Sequence, residues 1–249
     1  MKYTRHLLLI ALIFNLCFCL GSCKDKKMNE LPVNKNKSAA EFLGHSEYRA
    51  MSYGGYRTLT RDDQPSLSQI KEDLKILSAI GVKVIRTYNL QLDQAHNILK
   101  AIRALKMEDA SFEMYVMLGL WIECENARQS PNHGAEDIAV NTAEIERAII
   151  YSNQYPDIVK IIAVGNEAMV HWQADYFVLP SVILKWVNHL QKLKTEHKLP
   201  SELWITSSDN FASWGGGDAA YHNEDLTALV KAVDYISLHT YPFHDTHYN

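Results

Sequence analysis

The sequence has almost no cysteine to build with. Of its four cysteines, Cys17, Cys19 and Cys23 fall near the start, which leaves Cys124 alone in the body of the chain. No intramolecular disulfide framework is possible there, so stability has to come from a buried core. Cys124 has no supporting pattern around it and reads as a plain loop cysteine rather than a nucleophile. Basic excess is missing too. The formal net charge is −4 and no basic stripe runs along the chain, so nucleic acid is not expected as a partner. Beyond the first 20 residues, no apolar run is long enough to cross a membrane. The first predicted strand is followed by Gly54-Gly55-Tyr56-Arg57, which is not the G-x-G-x-x-G of a dinucleotide fold. Gly215-Gly216-Gly217 has no Lys-Ser/Thr behind it and reads as a flexible loop. His239, His244, Asp245 and His247 match no common zinc spacing. Neither a metal nor a cofactor is expected.

What is present begins with an address. Lys2 and Arg5 give a positive start, and Leu7 to Leu20 is an apolar run shorter than the roughly 20 residues a spanning helix needs. Leu20-Gly21-Ser22-Cys23 follows, then Lys24-Asp25-Lys26-Lys27. A small-residue site ending in Cys after an apolar segment resembles the lipobox of a bacterial lipoprotein. That resemblance implies cleavage before Cys23 and lipid attachment at Cys23. The alternative is an ordinary secretory signal with an incidental cysteine. Residues 1–22 are thus expected to be a signal peptide and residues 23–45 a polar tether. Residues 46–249 form one domain. The lipid would hold it in the cell envelope on a bacterial membrane, an outer membrane being favoured, facing the periplasm or the surface, as a monomer.

Within that domain, short apolar runs alternate with amphipathic segments. Strands are predicted over 48–53, 82–88, 112–121, 158–164, 203–207 and 235–239. Helices are predicted over 67–80, 92–105, 138–153, 180–197 and 225–232. Ala95, Ile98, Leu99, Ile102 and Leu105 fall on one face of the second helix. The fourth strand is almost wholly apolar, as parallel strands covered on both faces are. Strict alternation implies right-handed βαβ units and a parallel sheet, either an open doubly wound sheet or a (β/α)8 barrel. In a barrel, chemistry sits at the C-terminal ends of the strands. Arg86, Tyr88, Trp121, Asn166, Glu167, Ser208, Asp209 and Tyr241 all collect there, which favours an α/β (β/α)8 barrel, incomplete, with about six of its eight units present.

The fourth strand runs into Gly165-Asn166-Glu167, a carboxyl group delivered to the barrel mouth. Locally, the same pair fits a helix cap equally well, with Asn as N-cap and Glu in the first turn. Tyr53-Gly54, Ile85-Arg86-Thr87-Tyr88, Val116-Met117-Leu118-Gly119, Val164-Gly165-Asn166-Glu167 and Val233-Asp234-Tyr235-Ile236 with Tyr241-Pro242-Phe243 occur in order at barrel spacing. Together they resemble glycoside hydrolase family 17, a family of β-1,3-glucanases and β-glucan transglycosylases. The resemblance implies that Glu167 is the acid/base of a retaining mechanism, protonating the departing oxygen and then deprotonating water. It implies that Asn166 bonds the sugar 2-hydroxyl and that Tyr53 lines the subsite at the cleaved bond. Arg86 and Tyr241 would approach the nucleophile. Tyr88, Trp121 and Asp209 complete the expected substrate-binding set. Trp121, Trp172 and Trp214 follow strands and either stack on sugar rings or anchor loops. Trp186 and Trp204 are expected in the core.

The resemblance also implies a nucleophilic Glu at the end of a seventh strand, which no residue after Phe243 supplies. The chain is therefore expected to be a C-terminally truncated fragment, with its nucleophile beyond Asn249. The activity expected is a β-1,3-glucan (laminarin-like) hydrolase. The alternatives are a β-glucan transglycosylase and an inactive glucan-binding lipoprotein remnant.

Overall fold

Apolar residues at helical spacing in 67–80 fold into a helix, α1 (Leu67–Ala79), which buries Ile70, Leu74 and Leu77. Ser66 starts it by accepting the Gln69 amide, and the Gln69 side chain returns a bond in a capping box. A computed structural model describes residues 37–216 and 219–242. The signal segment, Cys23, Phe243, His244, Asp245 and His247 lie outside the described residues.

The remaining elements follow the predicted alternation. In chain order they are β1 (Arg49–Ser52), α1, β2 (Val82–Arg86), α2 (Asp93–Glu108) and β3 (Tyr115–Leu120). A small hairpin comes next, β4 (Cys124–Glu125) with β5 (Asn132–Glu136). Then come α3 (Ile138–Gln154), β6 (Val159–Asn166), α4 (Pro180–Thr195), β7 (Trp204–Asn210), α5 (Glu224–Ala232) and β8 (Ser237–His239). All five residues predicted on one face of α2 are buried. The hairpin was not predicted. It makes Cys124 a fully buried strand residue rather than a loop cysteine, with burial raising the thiol pKa, so this thiol is an inert core group.

Six strands form one sheet in the order β1-β2-β3-β6-β7-β8, and every neighbouring pair is parallel. This is the incomplete (β/α)8 barrel expected from the alternation. Side chains alternate across it. Ile85, Val116, Leu118, Ile162 and Val164 join the main core on the helix-covered side. Val84, Tyr115, Met117, Ile161 and Ala163 turn to the concave side. Residues 39–43, predicted as the end of the tether, instead belong to the domain. Ala39–Glu41 forms a short 3-10 turn. Phe42 is 1% exposed and stacks on Tyr115 with ring centroids 4.8 Å apart. That small cluster closes the concave side beneath the cleft.

Candidate active site

The parallel order sends the C-terminal ends of all six strands to one rim, and the concave-facing residues nearest that rim meet one another. Ser52 of β1 pairs in register with Arg86 of β2, and Ser208 of β7 with Ser237 of β8. His239 lies two residues beyond Ser237, so it shares the same face. These residues, with Tyr241, line an open cavity of about 420 Å³.

At the centre of the rim, β6 does not end smoothly. Its register with β7 shifts between Ala163 and Asn166, and Gly165 has φ +87°. A Cβ on Gly165 would lie 2.9 Å from the Ala168 Cβ and 3.1 Å from Ile183 Cδ1. Only glycine fits both the angle and the space. Glu167 follows with φ 48°, left-handed and uncommon outside glycine, and its amide donates to the Ser208 carbonyl at 2.9 Å. Residues 167–170 form a bend and turn, and the next helix begins only at Pro180. The helix-cap alternative for Asn166 and Glu167 is therefore excluded.

The Glu167 carboxylate stands at the edge of the cleft, its side chain 21% exposed. His239 Nδ1 lies 2.8 Å from Glu167 Oε1, and His239 Nε2 lies 2.8 Å from Ser208 Oγ. Ser208 Oγ in turn meets Ser237 Oγ at 3.0 Å. Asn166 Oδ1 accepts from Arg86 Nη2, and Arg86 Nη1 reaches Ser52 Oγ at 3.4 Å. The Arg86 guanidinium also lies over the Tyr88 ring, 5.2 Å from its centre. Burial pulls the Arg86 pKa down, and Tyr88, Glu167 and Tyr241 oppose that. Arg86 thus places a fixed positive charge at the mouth of the barrel. Tyr241 is 54% exposed beside it.

Two predicted substrate contacts lie elsewhere, for one reason. Tyr53 is one residue past Ser52 and Asp209 one past Ser208, so both turn to the opposite face of the sheet. Tyr53 is buried in the main core and donates to Asp73 Oδ2 of α1 at 2.6 Å. Asp209 is fully buried, and burial pushes its pKa up to about 6. Its carboxylate accepts the amides of Met169 at 2.8 Å and Asn210 at 2.9 Å. It braces the turn that carries Glu167 rather than opening on the cleft.

Aromatic residues form the wall beside β3. Trp121 donates to Glu123 Oε2 at 2.6 Å and packs on Tyr176, centroids 4.9 Å apart. Arg128, at the turn of the β4–β5 hairpin, covers Trp121 and pairs with Glu123 at 2.9 Å. Glu123 is thereby engaged and 7% exposed. Trp214 donates to the Ser237 carbonyl at 3.2 Å, a loop anchor, while Trp172 is 62% exposed. Trp186 is core, as expected, and Trp204 is half-buried against Tyr235. Gly215 has φ +88°, and a Cβ on Gly216 would strike the Phe211 ring at 2.3 Å. Among the described residues no cluster of His, Cys, Asp or Glu is arranged to hold a metal ion. His239 was weighed from sequence only as a metal ligand, so its place beside Glu167 was missed. The alternation Ser237-x-His239 was the signal.

A parallel βα sheet whose C-terminal rim gathers polar side chains around an open cavity defines an incomplete (β/α)8 barrel. The chain belongs to the BtgE/BtgC glycoside hydrolase family, whose domain matches residues 50–249. It is similar to the crystal structure of an endo-laminarinase from Formosa Hel1_33_131, with 61% identity and a TM-score of 0.83. That match covers 86% of this chain and 55% of the laminarinase. It also shares its fold with CJP38, a β-1,3-glucanase and allergen of Cryptomeria japonica pollen, at 14% identity and a TM-score of 0.52. That second match covers 80% of this chain and 57% of CJP38. The chain thus spans little more than half the length of these two structures. No curated protein matches it.

Proposed function

We propose that this chain forms the acid/base side of a retaining endo-acting hydrolase of β-1,3-glucan. The observation that carries the proposal is the glycine-enforced turn that sets the Glu167 carboxyl group at the mouth of a family-typical barrel. The likeness to an endo-laminarinase at 61% identity supports the substrate class. In this reading Glu167 protonates the glycosidic oxygen as the bond to C1 breaks, then removes a proton from the water that releases the sugar. Asn166, its carbonyl oxygen already held by Arg86, is left with its amide N–H groups for the sugar 2-hydroxyl. Arg86 and Tyr241 would flank the second carboxylate that a retaining mechanism needs. The exposed Trp172 offers a flat apolar face to the glucan chain, while Tyr88 and Trp121, covered by Arg86 and Arg128, would present only their remaining ring surface to it.

We further assign residues 1–22 to a signal peptide and Cys23 to a lipid anchor on the cell envelope. A polar tether would then enter the domain at the 3-10 turn near residue 39. Mass spectrometry of the membrane-associated product tests the anchor, an unmodified Cys23 being the outcome that refutes it. For the activity, the gene product bearing this chain is expected to release laminari-oligosaccharides from laminarin. Glu167→Gln should lower kcat by about 10²–10⁴-fold, the contribution of a positioned general acid. A Glu167→Gln variant as active as the parent would remove Glu167 from the mechanism.

A further inference from the structure

We propose that His239 is the positioning residue of the acid/base, confining the catalytic proton to Glu167 Oε2 by holding Oε1 as a hydrogen-bond acceptor. The inference rests on Glu167 being that acid/base and adds a role for a residue outside the sugar-binding set. When Glu167 is ionised both of its oxygens only accept, so the 2.8 Å contact then places hydrogen on His239 Nδ1. On the other side, Nε2 meets Ser208 Oγ, which is itself paired with Ser237 Oγ. A serine hydroxyl donates as readily as it accepts, so Ser208 can donate to Nε2 while Nδ1 donates to Glu167.

The consequence follows from proton bookkeeping on one carboxyl group. With Oε1 occupied by an N–H donor, a proton bound to Glu167 sits on Oε2, which has no hydrogen bond to another side chain among the described residues. During cleavage the Oε2–H bond breaks, the proton passes to the glycosidic oxygen, the C1–O bond electrons leave with that oxygen, and the second carboxylate of the retaining mechanism bonds to C1. In the second step Oε2 takes a proton from water as the water oxygen bonds to C1 and the second carboxylate leaves with its electron pair, and His239 keeps its own proton throughout. The geometry is held rigidly. His239 pairs with Asn210 in the β7–β8 ladder, its carbonyl accepts the Phe211 amide at 3.1 Å, and its side chain is 11% exposed. Fixed donors on strands are the usual means of holding a catalytic group in a single rotamer.

The test compares two substrates in the gene product bearing this chain. On laminarin, His239→Ala should lower kcat about tenfold or more with KM within about twofold, because the interaction matters in the transition state. His239→Asn keeps an N–H near the Nδ1 position and should recover most of that loss. On a dinitrophenyl β-laminaribioside the leaving group needs no proton, so the His239→Ala deficit in kcat/KM should shrink to about threefold or less. Equal losses on both substrates, or no loss on either, would overturn the proposal. An active Glu167→Gln control would instead overturn the acid/base assignment. Independently of turnover and of variant folding, nitrogen-15 NMR of the histidines in this chain should find hydrogen on His239 Nδ1. A bare Nδ1 facing Glu167 would also refute it.

Discussion

Gly165 holds the site together by lacking a side chain. Its positive φ and the 2.9 Å gap to Ala168 Cβ leave no room for alanine. Gly165→Ala should therefore destabilise the domain by about 1–2 kcal/mol from the left-handed angle alone, more if Ala168 and Ile183 cannot shift. Urea unfolding measures that loss, and laminarin hydrolysis should fall further than the stability change explains, because the turn aims Glu167. The sequence marked Gly165 as the end of the fourth strand but left Asn166 and Glu167 equally open to a helix cap, which only the left-handed turn after β6 excluded. Tyr53 and Asp209 were misplaced because a strand end read without its register leaves the facing of each side chain open by one residue. Only the pairing of Ser52 with Arg86 and of Ser208 with Ser237 sets which neighbour points to the cleft.

Helices α1 to α5 were visible because their apolar spacing announces them, and the side-chain caps of α1, α3 and α5 agree. Asp137 accepts the Val140 amide at the start of α3, and Asn223 the Leu226 amide at the start of α5. The β4–β5 hairpin was invisible because Cys-Glu and Asn-His-Gly-Ala-Glu show no apolar alternation. Side chains from its neighbours hold it instead. Asn141 of α3 exchanges two bonds with the backbone of Glu123, each 3.0 Å, and Trp186 of α4 donates to Glu136 at 2.7 Å. Asn141→Ala would leave the buried Glu123 amide and carbonyl without that partner, at a cost of about 1–3 kcal/mol. The midpoint of urea unfolding should drop with the slope unchanged. An unchanged midpoint would mean that other contacts carry the hairpin.

Across the whole molecule, two buried acids set an unusual pH response. Burial pushes Glu144 up to about 7, against the opposing pull of Arg147 and of the Leu90 and Gln91 amides it accepts. Asp209 rises to about 6 for the same first reason. A raised folded-state pKa means that the folded protein binds more protons than the unfolded chain. Stability should therefore fall as pH rises through about 5 to 7. Glu113 and Asp157 run the other way. Burial raises them, but lysine hydrogen bonds from Lys83 and Lys37, and from Lys106, outweigh it and leave both lowered. Their contribution is lost as pH drops below the ordinary carboxylate range. Thermal unfolding followed from pH 4 to 8 should thus peak on the acid side of neutrality, and Glu144→Gln should flatten the upper limb. A melting temperature still rising between pH 6 and 8 would contradict this assignment.

The sequence by itself determined the alternation of strands and helices, the two-sided burial of the central strands and the glycine-bounded carboxylate. Each of these is a local pattern, written in the period of apolar residues or in the needs of one turn. The tertiary structure alone decided what meets Glu167. His239, Ser208 and Arg86 lie 72, 41 and 81 residues from Glu167 in the chain, and only parallel pairing in register brings them to one rim. Long-range register depends on the packing of both faces of the sheet at once, which no stretch of sequence records on its own.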